Sequence, residues 1–392
     1  MPSPPKSVAI VTPGVFPVPS GTSSSVEQVV SHTAKPLARK MNVYVLGCLA
    51  KSFPASEEVD GVKYIRVRYE KPYAYLERIS KRIGQLRPSI VQVENRPRYV
   101  KYLRRKHPRL KISLVLHSTS FVSKPHISKQ ELSACLRAAN VIIVNSDFLK
   151  QNLQRAVPGA AHKIVTQHLG VDPGRFLSKW SREGEENRAR LLRELGYENP
   201  KIILFVGRLI PKKGVHHLLE AMMQIVQAEP NSILLIVGSA YYGTDRLTAY
   251  VRKLHEMGST MPQYVRFIPY VAHEDIPDYY QMADVVVVPS APNEAFGLVN
   301  VEAMASGVPV VATRSGGIQE VVAHGTTGYL VDLPRIAEEL PSYLLRILGD
   351  RELQRAMGEQ GIQRVRQLFT WERCAENRLE LYRSLDRRKG NR

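Results

Sequence analysis

The chain has 392 residues, 44% hydrophobic and 23% charged, which suits two or three globular domains and exceeds one ordinary core. Lys and Arg total 55 against 36 Asp and Glu, and the formal +19 draws phosphates, acidic polymers, nucleic acid or an anionic leaflet without choosing a chemistry. No run approaches the ~20 apolar residues of a membrane span, and no apolar stretch follows a basic start, so a cytoplasmic protein is expected.

Short apolar, β-branched runs recur at residues 8–11, 43–46, 90–93, 114–116 and 141–144, with a more alternating strand at 62–67 expected at an edge. A second series follows at 202–206, 233–237, 265–268, 285–288, 308–312 and 329–331. Continuous apolar strands alternating with helix-length segments imply parallel sheets covered on both faces. The fold class is therefore α/β, with two Rossmann-like doubly wound domains. Residues 179–193, between the two series, are charged and lack strand character, so the boundary is expected near 172–198. The domains are read as 1–172 and 173–369, with 370–392 a terminal helix packing back on the first. Cys48, Cys135 and Cys374 are scattered, giving neither a disulfide framework nor a metal knuckle; they read as packing thiols in a reducing compartment.

Ligands of open α/β sheets bind beyond the carboxyl ends of the strands, so the residues after each apolar run carry the chemistry. After Val206 comes Gly207-Arg208-Leu209-Ile210-Pro211-Lys212-Lys213-Gly214. Cations at a strand's carboxyl end, before a helix, suit a diphosphate; the bland alternative is a surface turn with solvated charges. After Val288 comes a loop containing Pro292, Glu294, Phe296 and Gly297, and a helix is expected from Leu298 to a Gly307 stop. Backbone N–H groups at Phe296, Gly297 and Leu298 would form an anion cradle, with Glu294 before it and Glu302 about one turn inside. Two carboxylates flanking such a cradle suit a phosphate centre with hydroxyl-bearing sugars on both sides.

The run from Glu294 to Glu302, Glu-seven residues-Glu within P-S-x-P-N-E-A-F-G-L-V-x-V-E-A-M-A-S-G-x-P-V-V-A, resembles the large retaining glycosyltransferase family of GT-B fold, the group 1 or family 4 type. Arg208 and Lys213 in G-R-L-x-x-x-K-G match that family's phosphate-binding pair, and Gly316-Gly317-Ile318-Gln319-Glu320 matches a following loop. The resemblance implies two domains facing across a cleft, with Arg208 and Lys213 stabilising the departing diphosphate. It implies backbone contacts near Phe296, Gly297 and Leu298, ribose hydroxyls on Glu302, donor-sugar hydroxyls on Glu294, and the nucleobase read by backbone near Tyr270 and Val271. His117, at the end of the run 114–116, matches a family histidine close to the donor sugar.

The family's usual Gly-Gly pair is replaced by Pro17-Val18-Pro19-Ser20-Gly21-Thr22-Ser23-Ser24-Ser25, where Gly21 and the serines let backbone amides approach a phosphate or acceptor. This loop and Val93-Glu94-Asn95-Arg96-Pro97 look similar to members associated with the bacterial spore coat. No Asp-x-Asp and no His/Cys/carboxylate cluster with ligand spacing occurs, so a metal-independent reaction with no cofactor is expected, and the resemblance implies that it is a retaining transfer. Its expected partners are a nucleotide-sugar donor, UDP-linked on family frequency, and an unidentified acceptor. Residues 96–111 carry Arg96, Arg98, Lys101, Arg104, Arg105, Lys106, Arg109 and Lys111, which would hold an anionic polymer, a lipid-linked phosphate acceptor or a membrane leaflet. Aromatic platforms for nucleic acid are lacking. The competing class is a catalytically silent scaffold of the same fold, such as a coat component.

Overall fold

Alternation of apolar strand and amphipathic helix builds two separate sheets. The computed structural model describes residues 6–20, 24–241, 247–269 and 271–387. One compact unit runs to Leu169 and resumes at Trp371; the other is Gly170–Thr370.

The first sheet contains β1 (Ser7–Val11), β2 (Asn42–Cys48), β3 (Ser56–Val59), β4 (Val62–Val67), β5 (Ile90–Glu94), β6 (Lys111–Leu116), β7 (Val141–Val144) and β8 (Ile164–Thr166). Their order is β3-β4-β2-β1-β5-β6-β7-β8, parallel except where β3 meets β4. The strand at 62–67 is therefore not the edge. Asp60 and Gly61, both at positive φ, make the two-residue turn that folds β3 back over it. Successive residues of β1 point to opposite faces. Val8 and Ile10 pack with Val30, Ala34 and Leu37 of the helix Ser25–Ala38 and with Leu379 and Tyr382 of the helix Trp371–Arg387. Ala9 and Val11 pack with Tyr75, Leu76 and Ile79 on the other face. Each fully buried Ile or Leu contributes about 1.5–3 kcal/mol, so both helical layers are needed.

The second sheet contains β9 (Lys201–Val206), β10 (Ser232–Val237), β11 (Val265–Ile268), β12 (Val285–Val288), β13 (Val310–Thr313) and β14 (Gly328–Val331). All pairings are parallel, in the order β11-β10-β9-β12-β13-β14. The chain winds one way from β9 and the other way from β12, so the topological switch point lies between these neighbours. β13 starts at Val310 rather than 308 because Gly307 is left-handed and Pro309 has no N–H to give the ladder.

The charged stretch at 179–193 lies within the second unit, whose start at Gly170 falls just ahead of the expected 172–198. The helix Arg182–Glu194 packs on the helix Ile276–Met282 within the second unit. Lys179 Nζ reaches Asp284 Oδ1 at 2.9 Å, and Arg188 Nη2 reaches Asp284 Oδ2 at 2.9 Å. Burial would raise the Asp284 carboxyl, but Lys179 and Arg188 outweigh it and hold it below its ordinary value. The three cysteines are buried and unpaired; burial pushes the Cys48 and Cys135 thiols up to about 11, which suits packing rather than reactivity.

Candidate functional site

The second unit's switch point opens between the loops after β9 and β12. The β9 loop makes a short 3-10 turn, Pro211–Lys213, ended by Gly214 at φ +68°. A Cβ on Gly214 would lie 1.9 Å from the Pro289 carbonyl oxygen, so only glycine lets the turn sit against the end of β12. The Ala291 N–H donates to the Lys212 carbonyl at 2.8 Å and closes the contact. This clamp brings Lys213 Nζ to 2.7 Å from Glu294 Oε2. Arg208 follows Gly207 at the end of β9 and is exposed.

Glu294 is held through its backbone. Its N–H donates to Ser315 Oγ at 3.4 Å, and its carbonyl accepts from the Gly317 N–H at 2.9 Å. Ser315 Oγ in turn donates to the Ala291 carbonyl at 2.8 Å. The loops after β12 and β13 thus form one piece, and the Glu294 side chain remains about a quarter exposed, as does Lys213. An ion pair so placed is worth under ~1 kcal/mol, so a phosphate or a sugar hydroxyl can replace either partner cheaply.

The helix Leu298–Ala305 begins at Gly297, φ +83°, with no side chain capping it. A Cβ there would meet Asn300 Nδ2 at 2.5 Å, the group that donates to the Gly297 carbonyl at 2.9 Å. Phe296 is buried and packs edge-on to Phe369 with centroids 5.9 Å apart, so only its backbone is offered to a ligand. Glu302 is buried, and its Oε2 accepts from the Tyr280 hydroxyl at 2.7 Å. Burial, with Glu302 beside it, pushes that hydroxyl well above its ordinary value, so Tyr280 stays a donor.

Val271 is half-buried; Tyr270 and Gly21 lie outside the described residues. His117 belongs to the first unit, at the end of β6, where its Nε2 is 2.7 Å from Glu94 Oε2. Within the second unit the structure joins Lys213 with Glu294 directly and adds Tyr280 and Ser315; within the first it places Glu94 beside His117. In the sequence Glu94 figures only within Val93-Glu94-Asn95-Arg96-Pro97, and its place at a strand's carboxyl end is the signal of a site role.

The basic stretch at 96–111 is not one open face. Arg98 forms a bidentate pair with Glu131 at 2.8 Å on both arms, and Arg104 donates to the carbonyls of Ala138, Pro108 and Leu110 and to Asn140 Oδ1. Lys111 pairs with Asp386. Lys101, Arg105, Lys106 and Arg109 remain exposed. Among the described residues no group of three or more His, Cys, Asp or Glu is placed to hold a metal ion, and no helix is long and apolar enough to cross a membrane.

The family model described as Glycosyl transferases group 1 matches residues 188–364, and that described as Glycosyltransferase Family 4 matches residues 26–175. Spore coat protein SA of Bacillus subtilis (strain 168) is 31% identical over 375 residues, covering 96% of this chain and 98% of that protein. D-inositol 3-phosphate glycosyltransferase of Corynebacterium urealyticum is 36% identical over 251 residues, 63% of this chain and 57% of that protein. Among solved structures, sucrose-phosphate synthase from Thermosynechococcus elongatus matches with a TM-score of 0.80 at 25% identity, covering 98% of this chain and 100% of that one. HepE of Anabaena, solved with UDP-glucose, matches with a TM-score of 0.78 at 23% identity, covering 96% and 99%. With the two parallel Rossmann-like sheets, these likenesses make the fold GT-B.

Proposed function

Because the chain belongs to the Glycosyl transferases group 1 family, we propose that it moves a sugar from a nucleoside-diphosphate sugar to an acceptor, with retention and without a metal ion. The observation that carries this reading is the Lys213–Glu294 pair, 2.7 Å apart beyond the switch point. It puts a cation for a departing diphosphate beside a carboxylate for sugar hydroxyls.

Negative charge develops on the leaving phosphate as the glycosidic bond breaks, so fixed cations and N–H groups there lower the barrier more than they tighten ground-state binding. Arg208, Lys213 and the helix start at Gly297 and Leu298 take that role. Glu294 orients the donor sugar. Glu302 has one oxygen committed to Tyr280 and offers the other to the ribose, and the backbone at Val271 faces the base. The resemblance to retaining members of the family favours attack by the acceptor on the face the diphosphate leaves, with the phosphate oxygen taking its proton. The UDP-glucose held by HepE supports a UDP-linked donor. The exposed Lys101, Arg105, Lys106 and Arg109 favour an acceptor bearing phosphate or borne by an anionic membrane, reached from the cytoplasmic side.

The test is release of nucleoside diphosphate from a panel of nucleotide sugars in EDTA. Release from one donor, lost in Lys213→Ala and Glu294→Ala, supports the reading; activity that EDTA abolishes sinks metal independence. A second reading, a coat component without turnover, is favoured by the name of the Bacillus relative. Absence of turnover and of nucleotide binding across the panel would select it.

A further inference from the structure

A buried line of hydrogen bonds crosses the first unit from the helix Trp371–Arg387 to the carboxyl end of the sheet. Arg378 Nη1 and the Tyr382 hydroxyl both donate to Gln92 Oε1, and Gln92 Nε2 donates to Glu94 Oε1. Glu94 Oε2 lies 2.7 Å from His117 Nε2. All but His117 are at most 3% exposed.

The direction of this line follows from its first member. A guanidinium only donates, so Gln92 must turn its amide oxygen to Arg378 and its NH2 to Glu94. The Glu94 carboxylate then accepts from Gln92 on one oxygen and from His117 on the other. A neutral His117 donating to that carboxylate carries its hydrogen on Nε2, which leaves Nδ1 as an acceptor. That Nδ1 is buried and has no hydrogen-bond partner among the described residues. The ring's position is fixed from the backbone as well: the His117 N–H donates to Asn95 Oδ1 at 3.3 Å, and its carbonyl accepts from Asn145 Nδ2 at 3.2 Å. Asn95 reaches its place with φ +52°, a strained conformation for a residue with a Cβ.

A core histidine normally satisfies both ring nitrogens, and an idle one forfeits its hydration for nothing. One nitrogen held by a carboxylate with the other unpaired is the pattern of an imidazole prepared for a ligand. We infer that Glu94 is a positioning residue that fixes the His117 tautomer so that Nδ1 accepts a hydrogen bond from a substrate hydroxyl. The hydroxyl's identity rests on the glycosyl-transfer reading; the tautomer does not.

Selective 15N labelling of the histidines in the full chain, with His117→Gln subtracted for assignment, reads the tautomer without any substrate. The expected result is a protonated Nε2 and a bare Nδ1. In Glu94→Gln the new amide oxygen takes the Gln92 hydrogen, its NH2 turns to His117, and the ring moves its proton to Nδ1. That variant should release nucleoside diphosphate about tenfold more slowly or worse, from whichever nucleotide sugar the wild type turns over, while UDP affinity is unchanged. In a His117→Ala background the same substitution should cost nothing further. A wild-type Nδ1–H tautomer overturns the inference even if Glu94→Gln does not fold. So does a shifted tautomer with full turnover. A wild type that turns over no donor overturns the functional reading instead and leaves the tautomer result standing.

Discussion

The two ends of the second sheet use the same kinds of side chain for opposite purposes. Ahead of β12, the side chains of Lys179, Asp284 and Arg188 are 4%, 12% and 14% exposed, and Asp284 also accepts from the Ile202 N–H at 2.8 Å. Beyond the carboxyl ends, Lys213 and Glu294 are 26% and 23% exposed, on loops whose backbones are clamped by Gly214 and Ser315. A buried pair cannot release its partner without stranding a charge in a poor solvent. A pair about a quarter exposed can exchange its partner for a ligand. Depth, not residue type, separates the structural charges from the ones offered to chemistry.

The largest test strikes the buried end. Asp284→Ala leaves Lys179 and Arg188 without their carboxylate and should lower unfolding free energy by about 3–5 kcal/mol in urea titration. The pH dependence has a definite sign. Because Asp284 is held below its ordinary value of 3.8, its stabilisation is complete above pH 3.8 and fades as pH falls through the folded value. Burial pushes the Lys179 ammonium from 10.5 down to about 8, so its charging penalty stands in full below pH 8 and is relieved as pH rises toward 10.5. Wild-type stability should therefore drop in acid and gain in mild base, and the acid limb should shrink in Asp284→Asn. A loss under ~1 kcal/mol in Asp284→Ala would erase the contrast between the two ends.

Lys213→Ala should reverse the balance. Turnover should fall by about 10²–10³-fold, or ~2.7–4 kcal/mol of barrier, while stability changes by less than ~1 kcal/mol. Unfolding and donor-release assays on one preparation check both halves, and a stability loss matching the activity loss would assign the pair to structure. Gly214→Ala probes the clamp itself. Its left-handed backbone and the 1.9 Å approach to Pro289 predict a loss of about 1–3 kcal/mol, with turnover falling because Lys213 moves with the turn. Full activity in that variant would show that the cation does not depend on the clamp.

What the sequence made legible was local. Continuous apolar runs announced the parallel strands, and the Glu294-to-Glu302 spacing lay within one loop and helix. What it hid depends on pairing across distance. β3 carries no apolar alternation, because its Ser56–Val59 backbone is recruited by the Asp60-Gly61 turn rather than by burial. The run at 179–193 showed only charge and no strand character, because the partner of Arg188 is 96 positions away. The run at 90–93 contains the polar Gln92, whose partner Arg378 lies 286 positions on. The basic stretch shows the same limit, since charge counts cannot separate Arg104, which donates to three carbonyls and Asn140, from the exposed Lys101, Arg105, Lys106 and Arg109.

Tyr280 gives the smallest and sharpest test. It is buried in the second unit, its hydroxyl donates to Glu302 Oε2 at 2.7 Å, and its ring meets Phe176 at 6.1 Å. Tyr280→Phe keeps the ring and removes one hydrogen bond to a carboxylate, worth about 1.5–3 kcal/mol to whatever that carboxylate does. If Glu302 holds the ribose, the loss should fall mainly on binding: donor KM should rise about tenfold with kcat nearly unchanged, since the ribose is bound alike in ground and transition states. If Glu302 is only a helix acid tied to its neighbour, the same substitution should lower stability and leave KM where it was. A fall in kcat at constant KM would mean that Glu302 acts on the reacting centre, moving the boundary between committed and exchangeable charge one residue deeper into the site.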